Sequence, residues 1–162
     1  MQYFKNLLNN DTVSRAFEVY RTQPNFIEID GHERDRHTIS SIGSFMVSSF
    51  TKDELGFVWS EISHKLEHRF VPKYFRILKY SQGSFISEHV DSYEQGQQSS
   101  DHSLIIQLNS PKNFAGGIPS VNGKMLYLDV GDAVIYEYGE PHAVSTVRKG
   151  IRYVINLRLE AC

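Results

Sequence analysis

Apolar residues follow two different rhythms along this chain, one in its first third and another beyond Lys73. Near the start, Val13, Ala16, Phe17 and Tyr20 recur at helical spacing, and Pro24 closes the pattern. "TKDE" at 51–54 reads as a capping box, with Thr51 as cap and Glu54 reaching back. Behind it Leu55, Val58, Trp59, Ile62, Leu66 and Phe70 form one apolar stripe, and Pro72 follows the stop. From Lys73 the texture changes to short β runs: "YFRILKY" (74–80), "SLIIQLN" (103–109), "KMLYLDV" (124–130), "DAVIYEY" (132–138), "HAVSTV" (142–147) and "IRYVINLRL" (151–159). Gly83, Gly116, Gly117, Gly131, Gly139 and Gly150 punctuate them. The expected fold is mainly β with supporting α-helices, a double-stranded β-helix (jelly roll) with a pocket between two sheets. We read one domain over 1–162, with a helical support region over 1–72 and a jelly-roll core over 73–162.

Composition narrows the setting. A content of 40% hydrophobic and 22% charged residues is ordinary for a soluble globular protein. The formal net charge is −2, and no run of five like charges occurs. Nothing here builds the broad positive surface that phosphate backbones demand, which counts against nucleic acid without excluding it. Cys162 is the only cysteine, so no disulfide forms within the chain, and a reducing compartment is expected. "MQYFKNLLNNDTVSR" lacks the features of a signal peptide, and no apolar stretch approaches membrane-spanning length. The expected location is cytoplasmic, with no membrane partner.

The chemistry lies in two stretches, "SEHVDS" (87–92) and "PHAVSTVRKGIR" (141–152). Side chains two apart on a strand share a face, so His89 and Asp91 converge while Val90 faces away. The same parity groups His142, Val144 and Thr146 on one strand, and Arg152, Val154, Asn156 and Arg158 on the next. "RKG" (148–150) is a tight reversal between them, whether within one sheet or across two. Two neutral imidazoles and a carboxylate are the ligand set that leaves positions open on non-haem Fe(II). An arginine held at a distance suits the far carboxylate of a co-substrate that chelates the metal at its other end. 2-Oxoglutarate meets that description.

"YSQGSFISEHVDS", "NFAGG", "LDVGDAVIY" and "HAVSTVRKGIRYVINL" resemble, in order and spacing, the Fe(II)/2-oxoglutarate-dependent dioxygenases, in the prolyl-4-hydroxylase-like branch. The similarity runs from Tyr74 to Leu159. It implies His89, Asp91 and His142 as catalytic iron ligands and Arg152 as the clamp on the distal carboxylate of 2-oxoglutarate. It implies Tyr80 as a hydrogen-bond donor to that carboxylate, with packing as its other reading, and Ser103 as a supporting hydroxyl. The cofactors implied are Fe(II), 2-oxoglutarate and O₂, with ascorbate as a reductant. The reaction implied hydroxylates a C–H bond of a peptidyl-prolyl or amino-acid-like substrate, peptide or small molecule, and releases succinate and CO₂.

Departures from the family pattern fall on the substrate side. Ile86 stands where an aromatic is common, and Arg158 stands where tryptophan is common. Ile86, Arg158 and Asn156 are therefore the candidate substrate residues, and peptidyl-proline is the weaker part of the expectation. Asp129 replaces a proline in a turn. Two alternatives remain. One is oxidation of a nucleobase or methylated nucleic acid, suggested by the R-x5-R spacing of Arg152 and Arg158. The other is a jelly-roll binding module without turnover. The polar stretch 92–101 reads as a substrate lid. His64 and His68 lie opposite the helical stripe, His32 and His37 sit in a polar segment, and His102 reads as a surface residue near the lid.

Overall fold

The computed structural model describes residues 1–22, 34–67, 69–91 and 101–162. The chain opens with strand β1 (Gln2–Phe4), helix α1 (Asn10–Thr22), strands β2 (Arg36–Ser40) and β3 (Gly43–Phe50), and helix α2 (Lys52–Ile62). Then come β4 (Phe70–Tyr80), β5 (Phe85–His89), β6 (Asp101–Gln107), β7 (Phe114–Ala115), β8 (Pro119–Val121) and β9 (Lys124–Met125). The last strands are β10 (Ala133–Glu137), β11 (His142–Val144), β12 (Lys149–Gly150) and β13 (Arg152–Ala161).

One antiparallel sheet runs β1-β10-β6-β13-β4-β3-β5-β11-β8-β9, with β2 on the far side of β3. It curls at β3, which pairs with β4 along most of its length and with β5 only at Gly43 and Ser44. The long half and the short half, β5-β11-β8-β9, therefore face each other as a jelly roll. The 148–150 reversal crosses between the halves, because β11 pairs with β5 and β8 while β13 pairs with β4 and β6. Gly150 there has φ +73°, and a Cβ on it would lie 2.1 Å from the Asn113 carbonyl oxygen.

Parity divides the long half into two chemically different faces. Phe75, Ile77, Leu104, Ile106, Ala133, Ile135, Ile155, Leu157 and Leu159 are buried in one cluster with Val13 and Ala16 of α1 and Leu55, Val58 and Ile62 of α2. At roughly 25 cal/mol per Å² of apolar surface, this sheet-on-helix layer is the main stabilising contact of the fold. The opposite face carries Tyr74, Arg76, Leu78, Tyr80, Ser103, Ile105, Val134, Tyr136, Arg152, Val154 and Asn156, and it lines a cavity of about 270 Å³.

Five expectations need correction. The first third holds the two expected helices but is not wholly helical: it also supplies β1, β2 and β3, and β3 is the corner of the sheet. "GSFMVSSF" is serine-rich with only Gly43, Ser48 and Phe50 buried, so its alternation is faint in sequence. Thr51 caps α2 in extended conformation without a side-chain bond, and Glu54 reaches back not to it but to the buried Arg34. The α2 stripe stops at Ile62; Leu66 is buried in the same core beyond a 3₁₀ turn at Ser63–Lys65, and Phe70 opens β4. Of the 124–130 run only Lys124–Met125 is strand, although Leu126 and Leu128 stay buried between exposed Met125 and Tyr127. That stretch keeps the alternation and lacks a neighbouring strand to pair with. The expected 142–147 strand likewise ends at Val144, and Val147 is held by its N–H on the Ser84 carbonyl. Residues 92–100, Pro24, His32 and the His68 side chain lie outside the description, so the lid, helix-stop and helical His-pair expectations are not addressed.

Candidate metal centre and its anion-binding neighbour

His89 ends β5 and His142 begins β11, where the two are cross-strand partners with rings 4.3 Å apart. Asp91 follows β5, its N–H bonded to the Tyr138 carbonyl. One Asp91 oxygen, Oδ1, lies 3.6 Å from His89 Nε2 and 3.4 Å from His142 Nε2. The three ligand atoms all fall within 4.8 Å of one another. The other oxygen, Oδ2, accepts a bond from the Ser103 hydroxyl at 3.2 Å.

Each imidazole is oriented by backbone. His89 Nδ1 lies 2.8 Å from the Ser87 carbonyl and His142 Nδ1 lies 2.9 Å from the Glu140 carbonyl. A carbonyl only accepts, so both Nδ1 atoms carry hydrogen, and both Nε2 atoms turn toward Asp91. Burial pushes the Asp91 carboxyl up, but the His142 and His89 rings and the Ser103 hydroxyl outweigh it and hold the group well below the usual carboxylate range. Asp91 in turn raises the His89 imidazole against the lowering effect of burial. The site is thus a fixed negative charge flanked by two imidazole Nε2 atoms, and it favours a cation there, a proton on the imidazoles or a metal that takes the proton's place. Two neutral imidazoles and one carboxylate are a donor set that suits Fe(II) and leaves coordination positions open. The residues fit the metal.

Arg152 lines the same cavity and is 1% exposed. Its Nε donates to Gln107 Oε1 at 3.0 Å, and its guanidinium carbon lies 5.3 Å over the Tyr80 ring. Nη2 is fully enclosed and has no hydrogen-bond partner. Burial lowers the guanidinium to about 10, against the opposing effects of Tyr80 and Tyr136, so it stays charged at neutral pH. A buried cation with a spare donor requires an anion. The distal carboxylate of 2-oxoglutarate fits it. Gly117 keeps the approach clear: at φ +63°, a Cβ there would lie 2.9 Å from Val147 Cγ2 and 3.2 Å from Arg152 Cδ.

The expected site residues divide. His89, Asp91, His142, Tyr80, Ser103, Arg152, Ile86 and Asn156 all line the one cavity. Ser103, expected to support the co-substrate carboxylate, bonds Asp91 instead, and its register partners are Tyr136 and Arg158, away from Arg152. Arg158, expected near substrate, is absent from the lining; it donates to Asp101 at 2.5 Å and lies over the Tyr138 ring. Its inward parity is spent on that buried ion pair. His102 stacks edge-on against Phe70, outside this cavity. Sequence reasoning missed Tyr74, Arg76, Tyr136, Thr38 and Phe45 as lining residues, and Gln107 as the acceptor that holds Arg152. Strand parity carried a signal for Gln107 and Arg76, which share their phases with Ser103 and Tyr80.

Geometry of this kind, a jelly roll with a three-ligand cation site and an arginine-based anion site in one cavity, defines a metal-dependent protein that takes an anionic co-substrate. A family model described as the 2OG-Fe(II) oxygenase superfamily matches residues 75–159, and the chain belongs to that family. Its members are iron- and 2-oxoglutarate-dependent oxygenases, which the His-Asp-His cluster matches. A PKHD-type hydroxylase of Acaryochloris marina is 34% identical over 80 residues, which is 47% of this chain and 36% of that protein. The matched stretch is thus about a third of the relative's length. A prolyl-4-hydroxylase from Pseudomonas putida superposes with a TM-score of 0.65 at 15% identity, covering 98% of this chain and 91% of that one. An oxidoreductase of the 2OG-Fe(II) oxygenase family from Burkholderia pseudomallei gives 0.69 at 14% identity, covering 95% and 81%. At such identities these likenesses speak for the fold alone. No helix among the described residues is long and apolar enough to cross a membrane.

Proposed function

We propose that the chain is a hydroxylase, acting as one domain over 1–162 in the cytoplasm, that uses Fe(II), 2-oxoglutarate and O₂ to oxidise a C–H bond of a peptidyl-prolyl or amino-acid-like substrate. The observation that carries the reading is the pairing, in one cavity, of three inward-turned ligand atoms with a buried arginine that lacks an acceptor. Bound together, Fe(II) and 2-oxoglutarate would activate O₂, one oxygen atom entering the substrate as hydroxyl and the other entering succinate as 2-oxoglutarate loses CO₂.

The chain's own residues do the rest. His89 and His142 present Nε2, because their Nδ1 hydrogens are committed to the Ser87 and Glu140 carbonyls. Such outer hydrogen bonds fix ring orientation and ligand basicity. Asp91 supplies negative charge through Oδ1 while Ser103 occupies Oδ2. Arg152, steadied by Gln107, holds the distal carboxylate through Nη2. Leu78, Ile105, Val134 and Val154 line the space around these groups with hydrocarbon. That wall excludes water, so a reactive centre meets substrate and little else.

The PKHD-type and prolyl-4-hydroxylase names of similar proteins support a prolyl or amino-acid-like target. The net charge of −2 supports it over nucleic acid. Succinate release from 2-oxoglutarate, measured in air with Fe(II) and ascorbate over a library of peptides and amino acids, tests the reading. We expect substrate-stimulated succinate and none from His142→Ala. Metal-loaded protein that binds 2-oxoglutarate yet never turns it over, even slowly without substrate, would identify a binding module instead.

A further inference from the structure

The cavity holds a second guanidinium that neither the metal nor the co-substrate requires. Arg76 projects from β4 on the same face as Tyr80, and both line the cavity. Its guanidinium carbon lies 4.0 Å over the Tyr74 ring, which covers one side. Its Nε is fully enclosed and has no hydrogen-bond partner, and no acidic side chain among the described residues pairs with it. The other lining arginine, Arg152, stands opposite Tyr80 on β13, whereas Arg76 stands opposite Asn156. The two rungs are four residues apart, roughly 13 Å at ~3.3 Å per residue, so these are two separate sites. Asn156 also faces Ile105, which is two residues along β6 from Ser103, the partner of Asp91. Arg76 therefore flanks the metal-ligand end of the cavity, while Arg152 marks the co-substrate end.

Charge identifies what belongs beside it. Asp91 is the only acidic residue lining the cavity among the described residues. With Fe(II) and the 2-oxoglutarate dianion in place, the charges of iron, Arg152, Asp91 and the dianion cancel. Arg76 is left as one unbalanced positive charge in a partly dry space. Enclosed charges call for a partner, and a planar guanidinium matches a planar carboxylate through two parallel hydrogen bonds. A single unbalanced charge suits a monoanion better than a doubly charged phosphate ester.

We propose that Arg76 is a subsite for the carboxylate of the molecule to be oxidised, and that the substrate is a small carboxylic acid of the free amino-acid type, with its reacting carbon near the metal. The proposal rests on the oxygenase reading and selects within it. A peptidyl proline in mid-chain has no carboxylate to offer here, whereas a free amino acid has one a few bonds from its side-chain carbons. Asn156, on the same rung and lining the same cavity, adds a neutral amide next to that position.

The test is binding without turnover. Protein loaded with Mn(II) and 2-oxoglutarate is titrated with free amino acids, with the carboxamide of each, and with proline-containing peptides blocked at both ends. At least one acid is expected to bind about tenfold to a hundredfold more tightly than its amide, the worth of a hydrogen bond to a charged group. Arg76→Met is expected to erase that preference and Arg76→Lys to restore part of it, both with unchanged 2-oxoglutarate affinity. Equal binding of acid and amide in the unaltered protein, a preference that survives in Arg76→Met, or binding of the blocked peptides alone overturns the assignment. Loss of 2-oxoglutarate binding in Arg76→Met also overturns it, since Arg76 would then serve the co-substrate. Failure of the oxygenase reading is distinct: Mn(II) or 2-oxoglutarate would not bind the unaltered protein at all.

Discussion

Gln107→Leu removes the hydrogen bond that aims Arg152, together with the bonds that Gln107 Nε2 donates to Asn109. Gln107 is buried on β6, and its Oε1 accepts from Arg152 Nε while its Nε2 donates to Asn109. Leucine has nearly the same volume and leaves the β6 backbone bonds, including Gln107 N–H to the Asp132 carbonyl, undisturbed. The substitution leaves Arg152 Nε buried without an acceptor, beside an Nη2 that already lacks one. A hydrogen bond to a charged group is worth about 1.5–3 kcal/mol, and an orphaned buried donor costs a similar amount. If the guanidinium turns to find other partners, 2-oxoglutarate loses that much of its clamp, which corresponds to about tenfold to a hundredfold in Kd. Calorimetric titration of 2-oxoglutarate into Mn(II)-loaded protein reads this directly, and Mn(II) affinity in the same samples is the control. We expect weaker 2-oxoglutarate binding with the metal unaffected. Folded Gln107→Leu protein with unaltered 2-oxoglutarate affinity would show that Tyr80 and the β13 backbone hold Arg152 without help, and the reasoning would fail.

Two further outcomes follow from the same geometry. Ser103→Ala frees Asp91 Oδ2 from its only described hydroxyl partner and should weaken Mn(II) binding by about tenfold to a hundredfold, the usual effect of losing an outer-shell partner, while 2-oxoglutarate affinity at saturating metal is unchanged. An equal loss of both would return Ser103 to the co-substrate. Asp132 sits near the start of β10 and accepts from the Tyr3 hydroxyl and from the N–H groups of Asn6 and Asp129. Burial pushes its carboxyl up, but those bonds outweigh it and hold the group below the ordinary carboxylate value. Its contribution to stability is therefore full above the unfolded pKa of about 4 and is lost as pH falls through the lower folded value. Urea unfolding at pH 7 and pH 3 should show a smaller acid-induced loss in Asp132→Asn; parallel losses in both proteins would remove this carboxyl from the account.

How much could be read without coordinates depended on whether the signal was local. His89 and Asp91 are two residues apart, so the spacing pointed to their convergence, although β5 ends at His89 and Asp91 is held in place by its N–H on the Tyr138 carbonyl. His142 and Arg152 were legible because each opens a strand whose inward phase can be counted from the turn at Gly150. Ser103 and Arg158 were misjudged for a different reason. Their parity was right, but which inward neighbour each one reaches depends on register. Ser103 stands beside Asp91 and Arg158 beside Asp101, and neither pairing leaves a trace in spacing. The β2–β3 hairpin was missed because its residues are half-exposed and serine-rich, so burial does not stamp a strong period on them.

The order of residues by itself indicated the two helices, most of the long β runs and the expected ligand types, since hydrophobic period and pleat are properties of a few neighbouring residues. The meeting of β5 with β11, the use of Gln107 to steer Arg152, and the presence of Arg76 in one cavity with the candidate metal ligands were decided only when the sheet curled at β3. Those contacts join residues tens of positions apart. Their distance is set by strand order and register, which come from packing the whole apolar face against two helices and not from any local preference of the chain.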